Sequence, residues 1–287
     1  PDRFNAKNIK VEQKFATSKD GTKVPYFLVY KQGTKFDGTA PTLQYAYGGF
    51  TVSQTPSYQA VIGKLWLEKG GVYVVANIRG GGEYGPRWHQ AALKENRQRA
   101  YDDFIAVSED LIAKKITSPA HLGIRGGSNG GLLMGAILVQ RPDLYGAVLC
   151  LVPLLDMMRY NQLLAGASWV SEYGDPNDPK YHDAILKYSP YQNVDKNKAY
   201  PPVLFMTSTK DDRVHPGHAR TMMAKMKAAG HKVLYYENTE GGHAASANFK
   251  QIAIMNALQF EFLFDTIAKA EPKGQPKAEP AKKAASN

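Results

Sequence analysis

The sequence predicts an α/β fold with a mostly parallel central sheet, helices on both faces and an N-terminal antiparallel hairpin. Three observations carry this. From residue 42 onward, short apolar and β-branched runs alternate with helical ones, the pattern of parallel strands joined by crossover helices. Residues 71–78 are a nearly continuous apolar run, as a strand buried on both faces reads. Residues 9–16 and 24–30 flank Lys19-Asp20-Gly21-Thr22, and Asp-Gly between two such runs signals a hairpin.

The elements follow in order. Residues 42–47 form a short strand ending in Gly48-Gly49, and 58–69 read as a helix before the strand at 71–78. Residues 101–115 form an amphipathic helix with Phe104, Ile105, Leu111 and Ile112 on its apolar side. Residues 121–125 are a strand that runs into Gly126-Gly127-Ser128-Asn129-Gly130-Gly131, and the helix at 132–140 must begin at those glycines. Strands follow at 147–152 and 203–207, then a helix at 217–229 closed by Gly230, a favoured C′ residue. A last strand at 233–236 and a last helix at 246–267 complete the alternation. Residues 156–200 break the rhythm; insertions of that length carry function or form a cap. Residues 1–268 are expected to form one domain, and the Pro, Lys and Ala composition of 269–287 reads as a disordered tail.

The 287 residues are 43% hydrophobic and 22% charged, which excludes fibrous and disordered classes. The net charge of +10 invites a nucleic-acid reading, but part of it sits in the tail at Lys269, Lys273, Lys277, Lys282 and Lys283. The remaining charges form no run of five and read as solvated surface, so no nucleic-acid partner is expected. The longest apolar stretches fall short of a membrane span. One cysteine, Cys150, excludes an intrachain disulfide and a Cys-rich metal site, and its apolar neighbours make it core filler. No H-E-x-x-H pattern is present, so neither metal nor cofactor is expected. The chain opens on Pro1 and is expected to be a processed or excised product.

Gly126-Gly127-Ser128-Asn129-Gly130 fits G-x-S-x-G in the context the chemistry requires, between a strand and a helix. Small residues beside the serine let the chain turn sharply and lift its hydroxyl from the sheet edge. The bland alternative is a phosphate loop, but no Lys-Ser or Lys-Thr follows. On such elbows the acid follows the serine in the chain and the histidine comes last. Of seven histidines, His243 lies in a loop after a strand and before the last helix, where a base can reach across the edge. Asp211 and Asp212 both follow the preceding strand and stay open as the acid; Asp175, Asp178 and Asp183 come before it. The Asn129 backbone N–H is one oxyanion donor. The loop Tyr47-Gly48-Gly49-Phe50 supplies the second, through an N–H or the Tyr47 hydroxyl. Arg79-Gly80-Gly81-Gly82-Glu83 lacks dinucleotide-loop spacing and reads as a strand-end turn with a structural ion pair. Met222, Met223 and Met226 read as helix packing.

Taken together, these residues resemble the catalytic domain of the prolyl oligopeptidase family, serine peptidases of the α/β-hydrolase fold. The resemblance runs to about Ala268. It is carried by Tyr47-Gly48-Gly49-Phe50, Asn77-Ile78-Arg79-Gly80-Gly81-Gly82-Glu83-Tyr84-Gly85, Gly126-Gly127-Ser128-Asn129-Gly130-Gly131, Trp169-Val170-Ser171-Glu172-Tyr173-Gly174-Asp175-Pro176, Asp211-Asp212-Arg213-Val214 and Gly241-Gly242-His243. It implies Ser128 as nucleophile, His243 as base and Asp211, rather than Asp212, as acid, with the Tyr47 hydroxyl and the Asn129 N–H as oxyanion hole. It further implies Arg213 on the substrate main chain and Trp169 stacked on a proline ring, with Phe50, Tyr173 and Val214 completing that pocket. An indole face against a pyrrolidine buries apolar area without needing a hydrogen bond.

The resemblance implies cleavage after proline in short peptides. A general esterase or acylaminoacyl peptidase, a basic-specific oligopeptidase drawing on Glu172, and a non-catalytic hydrolase-fold scaffold stand as alternatives. Family members carry an N-terminal β-propeller that caps the site, and these 287 residues contain none. A propeller supplied separately, or a homodimer, is the expected cover for the surface left open.

Overall fold

The computed structural model describes residues 4–244 and 248–270; residues 271–287, most of the expected tail, lie outside the described residues. Strands β1 (Ile9–Thr17) and β2 (Lys23–Lys31) form the hairpin, with Gly21 in the left-handed conformation its turn requires. β3 (Thr42–Tyr45) follows, then α1 (Ala60–Ile62), β4 (Val72–Ala76), α2 (Pro86–Gln90) and α3 (Gln98–Ala113). β5 (Leu122–Gly127) leads into α4 (Asn129–Gln140) with Ser128 alone between them, and β6 (Ala147–Leu151) comes next. The long insertion contains α5 (Val170–Tyr173) and α6 (Pro179–Tyr188). β7 (Val203–Ser208), α7 (Gly217–Ala228), β8 (Val233–Asn238) and α8 (Phe249–Leu263) close the chain. The expected helix at 58–69 is present but shorter, opening as α1 and widening into a π-turn over Gly63–Leu67.

The eight strands among the described residues form one sheet in the order β1-β2-β4-β3-β5-β6-β7-β8. β1 and β2 are antiparallel to each other, β2 is antiparallel to β4, and every other pair is parallel. This is the α/β-hydrolase fold. Alternation along the central strands shows why the sheet needs two covers. Val148 and Cys150 join the core under α3, α4 and α7, while Ala147 and Leu149 join the other core with Trp66 and the α8 residues Phe260 and Leu263. All four β6 residues named are fully buried, as expected for a parallel strand covered on both faces. α4 is buried along nearly all its length, which explains its uniformly apolar sequence.

The insertion is part of this core rather than a loose flap. Tyr160, Tyr173, Ile185 and Tyr188 are buried from it. α6 is started by Pro179 at its first turn and by the Asp178 carboxylate accepting the Lys180 N–H at 2.9 Å. Arg79 forms the ion pair expected at the strand-end turn, but with distant partners. It donates bidentately to buried Asp103 at 2.9 and 2.7 Å and to Asp20 of the hairpin turn at 2.5 Å, tying β4, α3 and the hairpin together. Met222 and Met226 pack in the core, and Cys150 lies fully buried with its thiol pushed up by burial.

His218, near the start of α7, is buried, and its Nδ1 accepts the backbone N–H groups of Leu155 and Asp156 at 3.1 and 3.0 Å. Only a neutral imidazole can accept there. Burial lowers its pKa from 6.5 to about 4, against the opposing pull of Asp156. The unfolded chain therefore takes up a proton that the folded one excludes across that window. Stability is full above pH 6.5 and is lost as pH falls toward 4, by an amount on the order of 3 kcal/mol. Urea titrations of the wild type and of His218→Gln across pH 4–7 test this. The wild type should lose more stability than the variant over that range, and parallel losses would refute the assignment.

Candidate active site

The strands put their carboxyl ends on one edge, and the site is assembled there from loops. Ser128 occupies the turn between β5 and α4 with φ 58° and ψ −117°, a backbone conformation that non-glycine residues rarely hold. The turn is fastened by Ser128 N–H to Leu151 C=O and Leu132 N–H to Ser128 C=O, both at 3.0 Å. Two glycines near it have no room for a side chain, whereas a Cβ on Gly127 would make only ordinary contacts with Leu151 and Val152. A Cβ on Gly126 would lie 2.2 Å from the Gly130 carbonyl oxygen, and one on Gly131 would lie 2.7 Å from that of Leu151.

β5, β6, β7 and β8 are consecutive in the sheet, so the loops after β7 and β8 arrive beside the elbow. His243 Nε2 lies 3.1 Å from Ser128 Oγ, and its Nδ1 lies 2.8 and 3.1 Å from the two carboxylate oxygens of Asp211. Asp211 is an acceptor only, so the imidazole proton sits on Nδ1 and the Nε2 lone pair faces the hydroxyl. Asp211 is buried and also accepts the Arg213 and Val214 N–H groups at 2.9 Å each. Asp212 is exposed. The choice that the residues left open is thus made by orientation. The other late histidines are engaged elsewhere: His215 accepts the Gly217 N–H, and His231 lies at the Asp195 carbonyl.

β3 neighbours β5, which places the loop after it alongside the serine. Burial raises the Tyr47 pKa, while the nearby Ser128 hydroxyl and the Arg213 charge pull it down. The phenol therefore stays protonated and can donate. The Asn129 side chain ties this loop to α5: its Nδ2 donates to the Tyr47 carbonyl at 2.7 Å, and its Oδ1 accepts the Tyr173 hydroxyl at 2.8 Å. Tyr173 is fully buried, and Phe50 meets it edge to face at 5.7 Å between ring centres. Val214 is buried, and Trp169 and Phe50 are partly exposed against the same core. Arg213 is exposed.

Residues 57–270 match the model of the prolyl oligopeptidase family. The chain belongs to the prolyl oligopeptidase family. It is 59% identical over 267 residues to an uncharacterised peptidase of Sinorhizobium fredii, covering 93% of this chain and 37% of that one. It is 42% identical over 259 residues to a prolyl endopeptidase of Elizabethkingia meningoseptica, covering 89% of this chain and 37% of that enzyme. A post-proline cleaving enzyme from Rickettsia typhi superposes with a TM-score of 0.91 at 47% identity, covering 92% of this chain and 38% of that structure. The chain thus spans little more than a third of the length of these family relatives.

Sequence reasoning singled out Glu172 but missed its partners, Arg97 and His89. Arg97 is 2% exposed although it lies in the polar run Lys94-Glu95-Asn96-Arg97-Gln98-Arg99, which reads as solvated surface. It pairs with Glu172 at 2.6 Å, and Glu172 also pairs with His89 at 2.7 Å. No local signal marks these three as partners, because 75 residues separate Arg97 from Glu172.

The Asn129 amide satisfies two groups at once, one of them the hydroxyl of fully buried Tyr173. Asn129→Ala leaves that hydroxyl unpaired and should cost about 1–3 kcal/mol of unfolding free energy. Chemical denaturation measures this, and an unchanged midpoint and slope would contradict it.

Proposed function

We propose that this chain hydrolyses peptide bonds on the carboxyl side of proline in short peptides, through an acyl-enzyme on Ser128. The observation that carries the reading is the continuous line Ser128 Oγ, His243, Asp211 at 3.1 and 2.8 Å, set on a strained elbow beside an aromatic pocket. Attack by Ser128 Oγ on the substrate carbonyl passes its proton to His243 Nε2. Asp211 stabilises the imidazolium and holds its orientation. The carbonyl oxygen becomes negative and is met by the Asn129 N–H, at the N-terminus of α4, and by the Tyr47 hydroxyl. His243 then returns the proton to the leaving amine, and water attacks the ester in the reverse sense to free Ser128.

Proline preference rests on the pocket. Phe50 and Trp169 offer partly exposed apolar faces, buried Tyr173 and Val214 lie in the same core behind them, and Arg213 is exposed and free to donate to a substrate carbonyl. Glu172 supports this reading from the negative side. Burial raises its pKa, but Arg97, His89 and the Phe50 N–H outweigh that, so it stays ionised and paired. A carboxylate neutralised by Arg97 offers no free charge to a basic substrate side chain. The relatives named as prolyl endopeptidase and post-proline cleaving enzyme point the same way.

The test compares chromogenic amides ending in Pro, Ala and Arg, with and without Ser128→Ala. Hydrolysis should be greatest after Pro and should vanish in the variant, and a fluorophosphonate should label Ser128. Residual turnover in Ser128→Ala would end the mechanism, and preferred cleavage after Arg would end the proline assignment. Trp169→Ala should narrow the Pro-over-Ala ratio by about 10-fold, since lost apolar contact of this kind is worth about 1–3 kcal/mol; an unchanged ratio would remove Trp169 from the pocket.

A further inference from the structure

The loop carrying Tyr47 and Phe50 is held in a conformation it would not keep unaided. Phe50 and Thr51 have φ of 55° and 58°, two successive non-glycine residues in the left-handed region. Two buried side chains grip this loop at separate main-chain atoms. Arg97 Nη1 donates to the Gly48 carbonyl at 2.9 Å, and the Phe50 N–H donates to Glu172 Oε1 at 3.0 Å. Arg97 Nη2 donates to the same Glu172 oxygen at 2.6 Å, which joins the two grips. Glu172 Oε2 meets His89 Nε2 at 2.7 Å, and the Arg97 guanidinium lies over the Tyr173 ring at 5.0 Å. Tyr173 in turn reaches Asn129 beside the nucleophile.

We infer that the Arg97–Glu172 pair is a positioning clamp that sets the Tyr47 hydroxyl and the Phe50 and Tyr173 rings in register with Ser128. Neither residue touches the reacting atoms. Both act through the main chain at Gly48 and Phe50 and through the Tyr173 ring. Glu172 lies next to Tyr173 in the short helix α5, so a shift of the carboxylate would carry the pocket with it. The clamp therefore links two functions of the site, oxyanion stabilisation and side-chain recognition. The inference rests on the serine-hydrolase part of the proposed function and not on the preference for proline.

Removing one partner strands a buried charge, whereas replacing both with apolar residues of similar volume is commonly tolerated. The informative variant is therefore the double replacement Arg97→Met with Glu172→Met. Arg97→Lys serves as the second variant: it keeps the charge pair, but an ammonium cannot fork to Gly48 and Glu172 as a guanidinium does. Folding is checked by near-UV circular dichroism and a cooperative urea transition. In the folded double variant, kcat for a proline amide should fall about 10- to 100-fold, more than KM rises, as a misplaced group costs. The rate at which a fluorophosphonate labels Ser128 should fall with it, and Arg97→Lys should lie between the two. Adding Tyr47→Phe should cost far less in the double variant than in the wild type, because the hydroxyl is already misplaced. Wild-type kcat and labelling in either folded variant, or an undiminished Tyr47→Phe effect, would overturn the clamp. A wild type that labels but ignores the proline amide refutes the substrate reading and leaves the clamp to be judged on labelling. A wild type that does not label overturns both.

Discussion

A single turn of backbone governs the site. Ser128 must leave β5 and enter α4 without an intervening residue, and that forces it to φ 58°. Such a conformation costs about 1–3 kcal/mol and persists only where the surroundings over-determine it. Here they do. The turn is hydrogen-bonded on both sides, Gly126 has no room for a Cβ beside the start of α4, and Gly131 has none beside the end of β6. The turn leaves the Ser128 hydroxyl 3.1 Å from His243 Nε2, with Asn129 opening α4 directly after it.

Everything else at the site is brought to that hydroxyl by strand order. Because β3 lies on one side of β5 and β6, β7 and β8 follow on the other, the loops bearing Tyr47, Asp211 and His243 all open at the same edge. The central strands β3, β5, β6 and β7 are buried along almost all their length, so their positions are set by the two apolar cores, and the loops inherit that rigidity. The histidine is held by the Asp211 carboxylate, whose own place is set by the N–H groups of Arg213 and Val214. The candidate catalytic groups thus rest on groups that hold them in place.

Among the described residues, two buried arginines are each held by carboxylates. Arg79 with Asp103 and Asp20 fastens the hairpin to the sheet, and Arg97 with Glu172 fastens the loop before the pocket. A lone buried charge would be expensive, and the hydrogen bonds around each pair offset part of its desolvation. Each pair also spans elements far apart in the chain, so the same interactions that make burial tolerable define the tertiary arrangement. His218 shows the neutral counterpart: an imidazole kept uncharged because two backbone N–H groups need an acceptor.

The sequence by itself determined the alternation of strands and helices, the hairpin and the elbow, because these depend on local periodicity and on glycines whose spacing is visible. It also narrowed the base to His243 by chain order. It left Asp211 and Asp212 equivalent, since adjacent carboxylates differ only in which way the chain turns them. The elements whose extent depends on long-range packing were the less legible ones, as with the π-turn at Gly63–Leu67 and the buried insertion. Arg97 looked like surface charge in the sequence, and Glu172 stood in a family motif with no partner in view. Only the tertiary structure made partners of them and His89, because ion pairing is a matter of distance in space, and the residues involved come from α2, the segment before α3, and α5.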